Sequence, residues 1–167
     1  MSKKYELVVD DTITLWGWKL FRIKALIRFG SVDAGDLGGY VCTEDNLSQE
    51  GDAWVSGNAK VWGNAEVSGD AKVWGNAEVS GDAKVWGNAE VSGDAKVSDF
   101  GDVIVFKNHW SSGRHFTYTK SNKMWRVGCF YGTGQELIDK AYRDSEKSGN
   151  FYKAYVEFIA SLEGLGE

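Results

Sequence analysis

Ala53-Trp54-Val55-Ser56-Gly57-Asn58 is followed by Ala59-Lys60-Val61-Trp62-Gly63-Asn64. The phrase Ala-x-Val-x-Gly-Asn/Asp is then read on to a seventh copy before Ala95-Lys96-Val97-Ser98 begins it once more. A period this short makes each unit a strand too small to bury its own apolar side, so neighbours must stack into a solenoid. Ala and Val stand two apart and point to one side of an extended strand, while the residue after each points to the other. The inward positions are therefore Ala and Val, and the interior is narrow. The Gly-Asn and Gly-Asp pairs are corners, because Gly takes positive φ freely and Asn or Asp tolerate the left-handed region.

These residues resemble the hexapeptide-repeat, left-handed parallel β-helix proteins, in which three hexapeptides make one triangular coil. In that family an aliphatic inward residue is followed four positions later by a small one. Val55 and Ala59, Val61 and Ala65, and Val67 and Ala71 keep to this, as do the pairs through Val91 and Ala95. The resemblance implies a mainly β protein built on a parallel β-helix. Left-handed winding is implied by the resemblance alone, since parallel crossovers are ordinarily right-handed.

The outward residues carry a second order. Their repeat is twelve residues, Val-Trp-Gly-Asn-Ala-Glu-Val-Ser-Gly-Asp-Ala-Lys. Laid on a coil of three phrases it inverts from one coil to the next. Lys60 then stacks on Glu78 and Glu78 on Lys96, Glu66 on Lys84, and Lys72 on Glu90. Opposite charges on strands ~4.8 Å apart contribute roughly 0.2–1 kcal/mol each. Trp62 falls beside Ser80, Trp74 between Ser56 and Ser92, and Trp86 beside Ser68.

The regular repeats span 53–100 within a β-helix of 32–100, whose first part, Val32 to Val41, reads as a degenerate coil. Residues 1–31 read as an N-terminal β cap: Tyr5 to Val9 and Ile13 to Trp16 as two short strands, Lys19 to Ala25 as a third. Lys19, Arg22, Lys24 and Arg28 form a basic cluster, expected on a solvated edge that discourages strand pairing. Residues 101–167 read as a C-terminal α+β module. Its expected strands are Val103 to Lys107, Phe116 to Lys120 and Met124 to Phe130. Thr133 and Glu136 form a capping box for a helix running toward Gly149, and Asn150 is the expected cap of a second helix, with Phe151, Tyr155, Phe158, Ile159 and Leu162 on one face.

A net charge of −5 with the two signs interspersed argues against general nucleic-acid binding, whose affinity comes from a basic surface. The chain has no apolar run of signal-peptide or membrane-span length, and its two cysteines, Cys42 and Cys129, lack metal-ligand spacing. The reading is a protein of the bacterial cytoplasm, with no membrane association, no metal and no cofactor. Residues 21–55 also resemble the opening of hexapeptide-repeat proteins of phages and prophages. That likeness implies a mobile-element setting, with interference with a host defence system among its possible roles.

Hexapeptide-repeat proteins include acyltransferases that place a catalytic His on or beside the solenoid, but these repeats hold no His, and no catalytic residue is assigned. His109 and His115, with Trp110 and Arg114, form a secondary candidate site in a loop after the solenoid. Cys129 is expected to be buried on a strand face with Trp125 and Val127. The main candidate surface is the outward face bearing Trp54, Lys72 and Trp74, with Trp54 over Lys72, joined by Trp62 and Trp86 on the other faces. Three functions stand side by side: a non-enzymatic solenoid that binds a protein partner, either a host protein or itself; a structural, self-assembling rod; and a hexapeptide-type acyltransferase. The Trp ridges beside Ser notches suit a homo-oligomer, dimer or trimer.

Overall fold

The structure, a computed structural model, describes residues 3–165, the side chain of Phe100 excepted; the domain ends set at residues 1 and 167 lie outside the described residues. The chain opens with β1 (Tyr5–Leu15), β2 (Trp18–Ala25) and β3 (Leu37–Val41). Eight two-residue strands follow at six-residue intervals: β4 (Trp54–Val55), β5 (Lys60–Val61), β6 (Glu66–Val67), β7 (Lys72–Val73), β8 (Glu78–Val79), β9 (Lys84–Val85), β10 (Glu90–Val91) and β11 (Lys96–Val97). They form a β-solenoid of about three turns with three parallel ladders, β3-β5-β8-β11, β4-β7-β10 and β6-β9.

Pairing follows the charge pattern. Lys60 lies opposite Glu78 and Glu78 opposite Lys96, Glu66 opposite Lys84, and Lys72 between Trp54 and Glu90. Every Ala and Val of the repeat is buried, at 2% exposure or less. The eight corner glycines from Gly51 to Gly93 lie at φ of 61° to 71°. They also stack closely, so that a Cβ on Gly75 would stand 2.9 Å from the Gly93 amide nitrogen. Positive φ and this close approach both exclude a side chain there.

A parallel solenoid has chemically different ends. Each coil donates its N–H groups to the carbonyls of the next, as Trp54 does to Ala71 at 3.1 Å and Lys60 to Ala77 at 3.0 Å. Carbonyls are thus left over at the first coil and amides at the last, and buried ones must find partners. At the first coil the backbone amides of Tyr40, Cys42 and Ser48 serve some of them. Lys4 Nζ reaches the Ala53 carbonyl at 2.8 Å and that of Gly51 at 3.3 Å, while Asn46 Nδ2 donates to Gly63 at 3.2 Å and Ala65 at 2.8 Å. At the last coil the partners are acceptors. Thr117 Oγ1 takes the Glu90 N–H, Ser121 Oγ that of Lys96, and an Asp102 carboxylate oxygen those of Ser98 and Asp99.

β1 and β2 form an antiparallel hairpin turned at Trp16-Gly17, both at positive φ, and β2 pairs with β3, so the hairpin extends one solenoid ladder. The two short strands expected before Gly17 are one strand, with a register shift between Val8 and Thr12. The basic cluster does not line an edge, because β2 lies between β1 and β3. Arg22 instead pairs with Asp11 at 2.9 Å and lies over the Tyr40 ring at 4.5 Å.

After the solenoid, β12 (Val103–Lys107), β13 (His115–Thr119), β14 (Met124–Val127) and β15 (Phe130–Thr133) make an antiparallel sheet covered by α1 (Gly134–Asp144) and α2 (Glu146–Leu165). The expected strand to Phe130 is divided by a turn at Gly128, φ 56°, so Cys129 is an exposed turn residue and not a buried one. The Thr133 capping box forms. Asn150 does not cap α2; it lies in its second turn. Ser145 ends α1 in extended backbone, and its Oγ accepts the Ser148 N–H at 3.0 Å, as an N-cap does. Gly149 is no break either. Its place is set by packing, since a Cβ there would lie 2.1 to 2.5 Å from the Tyr142 ring.

Candidate functional site

The β4-β7-β10 face lies at the floor of a trough of about 860 Å³. The repeat sets out its floor in ranks. Trp54, Lys72 and Glu90 occupy one outward position on successive strands and Ser56 and Trp74 the next, while Asp52, Asp70 and Asn88 stand at the corner. One wall is the tip of the turn at Gly30-Ser31, closed by paired hydrogen bonds between Phe29 and Val32 at 2.8 and 3.0 Å. The opposite wall carries Arg114, His115 and Gly128 from the C-terminal module.

Trp54 is not exposed. It is 7% accessible, with Phe29 edge-on at 5.2 Å and Tyr5 at 6.3 Å, because the N-terminal cap closes over it. Among the described residues the cations found over indoles are Lys84, 5.5 Å from Trp86, and Arg126, 4.8 Å from Trp74. The expected Lys72–Trp54 stack is therefore replaced by aromatic packing from the cap, and Lys72 is left exposed on the trough floor. Arg126 is held between Trp74 and Tyr131, at 4.8 and 5.0 Å, and donates to Ser92 Oγ at 3.2 Å. Its Nε is buried without a hydrogen-bond partner, the guanidinium plane being fixed by the two rings.

Charge is divided along the trough. Asp52 and Asp70 make one rim acidic, and Arg114 makes the far wall basic. Glu90, between them, has its pKa raised, chiefly by burial, against which Lys72 and Arg126 pull it down. The surface combines a half-buried indole with separated charges of both signs. Such a combination gives a bound segment orientation as well as contact area.

The structure brings Trp54, Lys72, Trp74, Arg114 and His115 to one place. The remaining candidates lie elsewhere. Trp110 packs inside the C-terminal module, stacked on Phe151 at 4.6 Å with its indole N–H toward Ser148 Oγ at 3.3 Å, and His109 abuts both rings. Asn108 holds this loop: its Oδ1 accepts from Trp110 and Ser111, and its Nδ2 donates to the Tyr152 hydroxyl. Trp62 is half-buried on β5's face, and Trp86 is exposed beside β9.

Glu90 stands on Lys72 as its spacing predicts, whereas Asp52, Asp70, Asn88 and Arg126 escaped the sequence reading. The coil spacing carried a signal for the corner column, since 52, 70 and 88 share one position; nothing in the sequence pointed to Arg126. Among the described residues no group of three or more His, Cys, Asp or Glu could hold a metal ion, and no helix is long and apolar enough to cross a membrane. Comparison with known proteins found no matching family model and no matching curated protein.

Proposed function

We propose that the protein is a non-enzymatic solenoid that binds a protein partner through the trough on the β4-β7-β10 face. The observation that carries this reading is that loops from both appended units, residues 30–32 and 114–115 with Gly128, overhang the same face of the rod. A spacer has no need of two walls on one face. The segment that fits presents a basic group toward Asp52 and Asp70, an acidic group toward Arg114, and an apolar or aromatic side chain against Trp74. The phage and prophage likeness of residues 21–55 supports a setting in the bacterial cytoplasm and a host defence protein as partner. The hexapeptide likeness supports left-handed winding.

The test is capture from a bacterial lysate with mass spectrometry, using three baits. Wild type and the helix-surface control Lys153→Glu should retain one discrete partner, and Asp70→Lys/Lys72→Glu/Arg114→Glu, which reverses three of the trough's charges, should lose it. A partner held equally by the inverted bait would overturn the assignment. One observation favours the acyltransferase alternative, the presence of His115 on the trough wall. That reading requires acyl-CoA binding by the wild type and loss of activity in His109→Ala/His115→Ala with the fold intact. The binding reading expects the double variant to keep its partner.

A further inference from the structure

Of the indoles at outward repeat positions, Trp86 is the one left open, at 54% exposure, on the face formed by β6 and β9. The register there places Glu66 opposite Lys84 and Val67 opposite Val85, so Ser68 stands beside Trp86. The Lys84 Nζ is 2.7 Å from a Glu66 carboxylate oxygen, with the two side chains 39% and 46% exposed. Four outward residues thus make a two-by-two pattern, acid and base at one position along the strands, small residue and indole at the next.

We propose that this face is a homodimer interface, and that its occupant is the same face of a second copy turned end over end. A half-turn about an axis parallel to the strands exchanges β6 with β9 while keeping the position along each strand. Lys84 then meets Glu66 of the second copy, Glu66 meets its Lys84, and each Trp86 enters the notch over the other Ser68. Every facing pair is complementary, as an isologous contact requires. Parallel rods, whether paired or in threes, lose this match, because rotation about the rod axis keeps each copy's acid at the level of the other's acid and sets charged positions against Ser and Trp.

The other ladders do not offer it. On β3-β5-β8-β11 a half-turn about β8 sets lysine against lysine and Glu78 against itself, while one between β5 and β8 pairs Lys60 with Glu78 but presents the half-buried Trp62 in place of an open indole and sets Lys96 against Tyr40. The β4-β7-β10 face is overhung by both walls of the trough. The β6-β9 face is small, so association belongs at the weak end of specific interfaces.

Sedimentation velocity across a concentration series tests the pairing. Wild type should pass from monomer to dimer as concentration rises into the high micromolar range. Lys84→Glu and Glu66→Lys should each stay monomeric, since the first makes the patch wholly acidic and the second wholly basic. An equimolar mixture of the two should associate again as a heterodimer, and the exchanged double variant Glu66→Lys/Lys84→Glu should dimerise like wild type. Circular dichroism of each variant confirms the fold, which loses only an exposed ion pair. A wild type that stays monomeric throughout, single variants that still dimerise, or a mixture that stays monomeric would overturn the proposal.

Discussion

Asn46→Ala removes the side chain that closes one corner of the first coil. Asn46 is 1% exposed; its amide donates to the Gly63 and Ala65 carbonyls, and its oxygen accepts the Cys42 and Thr43 N–H groups at 3.1 and 2.9 Å. Alanine leaves four backbone groups without these partners. Thr43 is exposed, the Cys42 N–H keeps the Val61 carbonyl at 3.2 Å, and the half-buried Gly63 carbonyl can turn to water, so the cost falls on the buried Ala65 carbonyl. At about 1–3 kcal/mol for a buried group left unpaired, the loss comes to ~1–3 kcal/mol. The control is Asn64→Ala, an exposed corner residue whose amide meets Asp82 at 3.2 Å, expected within ~0.5 kcal/mol of wild type. Urea unfolding followed by circular dichroism reads both. An Asn46→Ala loss below ~1 kcal/mol, or one equal to the control's, would refute the view that the coil end depends on side-chain donors.

Val61→Asp places a carboxylate at a fully buried position between Val41 and Val79, and should unfold the chain or nearly so, whereas Lys60→Glu should cost under ~1 kcal/mol; a soluble, cooperatively melting Val61→Asp protein would sink the inward assignment. Burial lowers the Lys4 pKa to about 8, against the opposing pull of Asp52. The native state therefore sheds this proton before the unfolded chain does, and Lys4 should make stability rise with pH from about 8 toward 10.5 and fall back as pH drops through 8. Lys4→Met should lose that slope in chemical unfolding measured from pH 7 to 10. Gly149→Ala, ordinarily helix-stabilising, should instead destabilise by ~1–3 kcal/mol because the base of the Tyr142 ring blocks the methyl, and Tyr142→Ala in the same chain should recover most of the loss in thermal melts.

The solenoid was legible because each of its decisions is local. Ala and Val two apart choose the face, Gly-Asx chooses the corner, and an outward repeat of twelve on a coil of eighteen can stack only opposite charges; the pairs Lys60–Glu78 and Glu66–Lys84 follow directly. The ends were less legible because their decisions are not local. Nothing around Lys4 or Asn46 says that their partners are carbonyls 17 to 49 residues away in the chain. Trp54 illustrates the same limit. Its place in the repeat made it outward, and only the return of Phe29 and Tyr5 made it buried. The helix boundary failed for a different reason: Gly149-Asn150 has the composition of a break, yet Ser145 four residues earlier supplies the cap, and Gly149 is there to admit Tyr142.

Because one unit caps the first coil and the other the last, the trough exists only while the two caps share a face, and the number of strands between them decides that. Deleting residues 65–76 removes two strands and joins Asn64 to Ala77, which preserves the phrase. Each cap keeps its own coil end, so the chain should still fold. The wall bearing Arg114 and His115, however, then stands over the ladder that continues β5, while the Gly30 turn stays over β4. Deleting 59–76 removes three strands, a full coil, and returns both walls to one face about 4.8 Å closer together, without Lys72 and Trp74. Both proteins should melt cooperatively, since repeat stability is a sum over neighbours. The shorter deletion should abolish capture of the partner held by wild type and the longer one weaken it. A 65–76 deletion that folds and still binds that partner would place the binding surface within a single unit and not between the two walls.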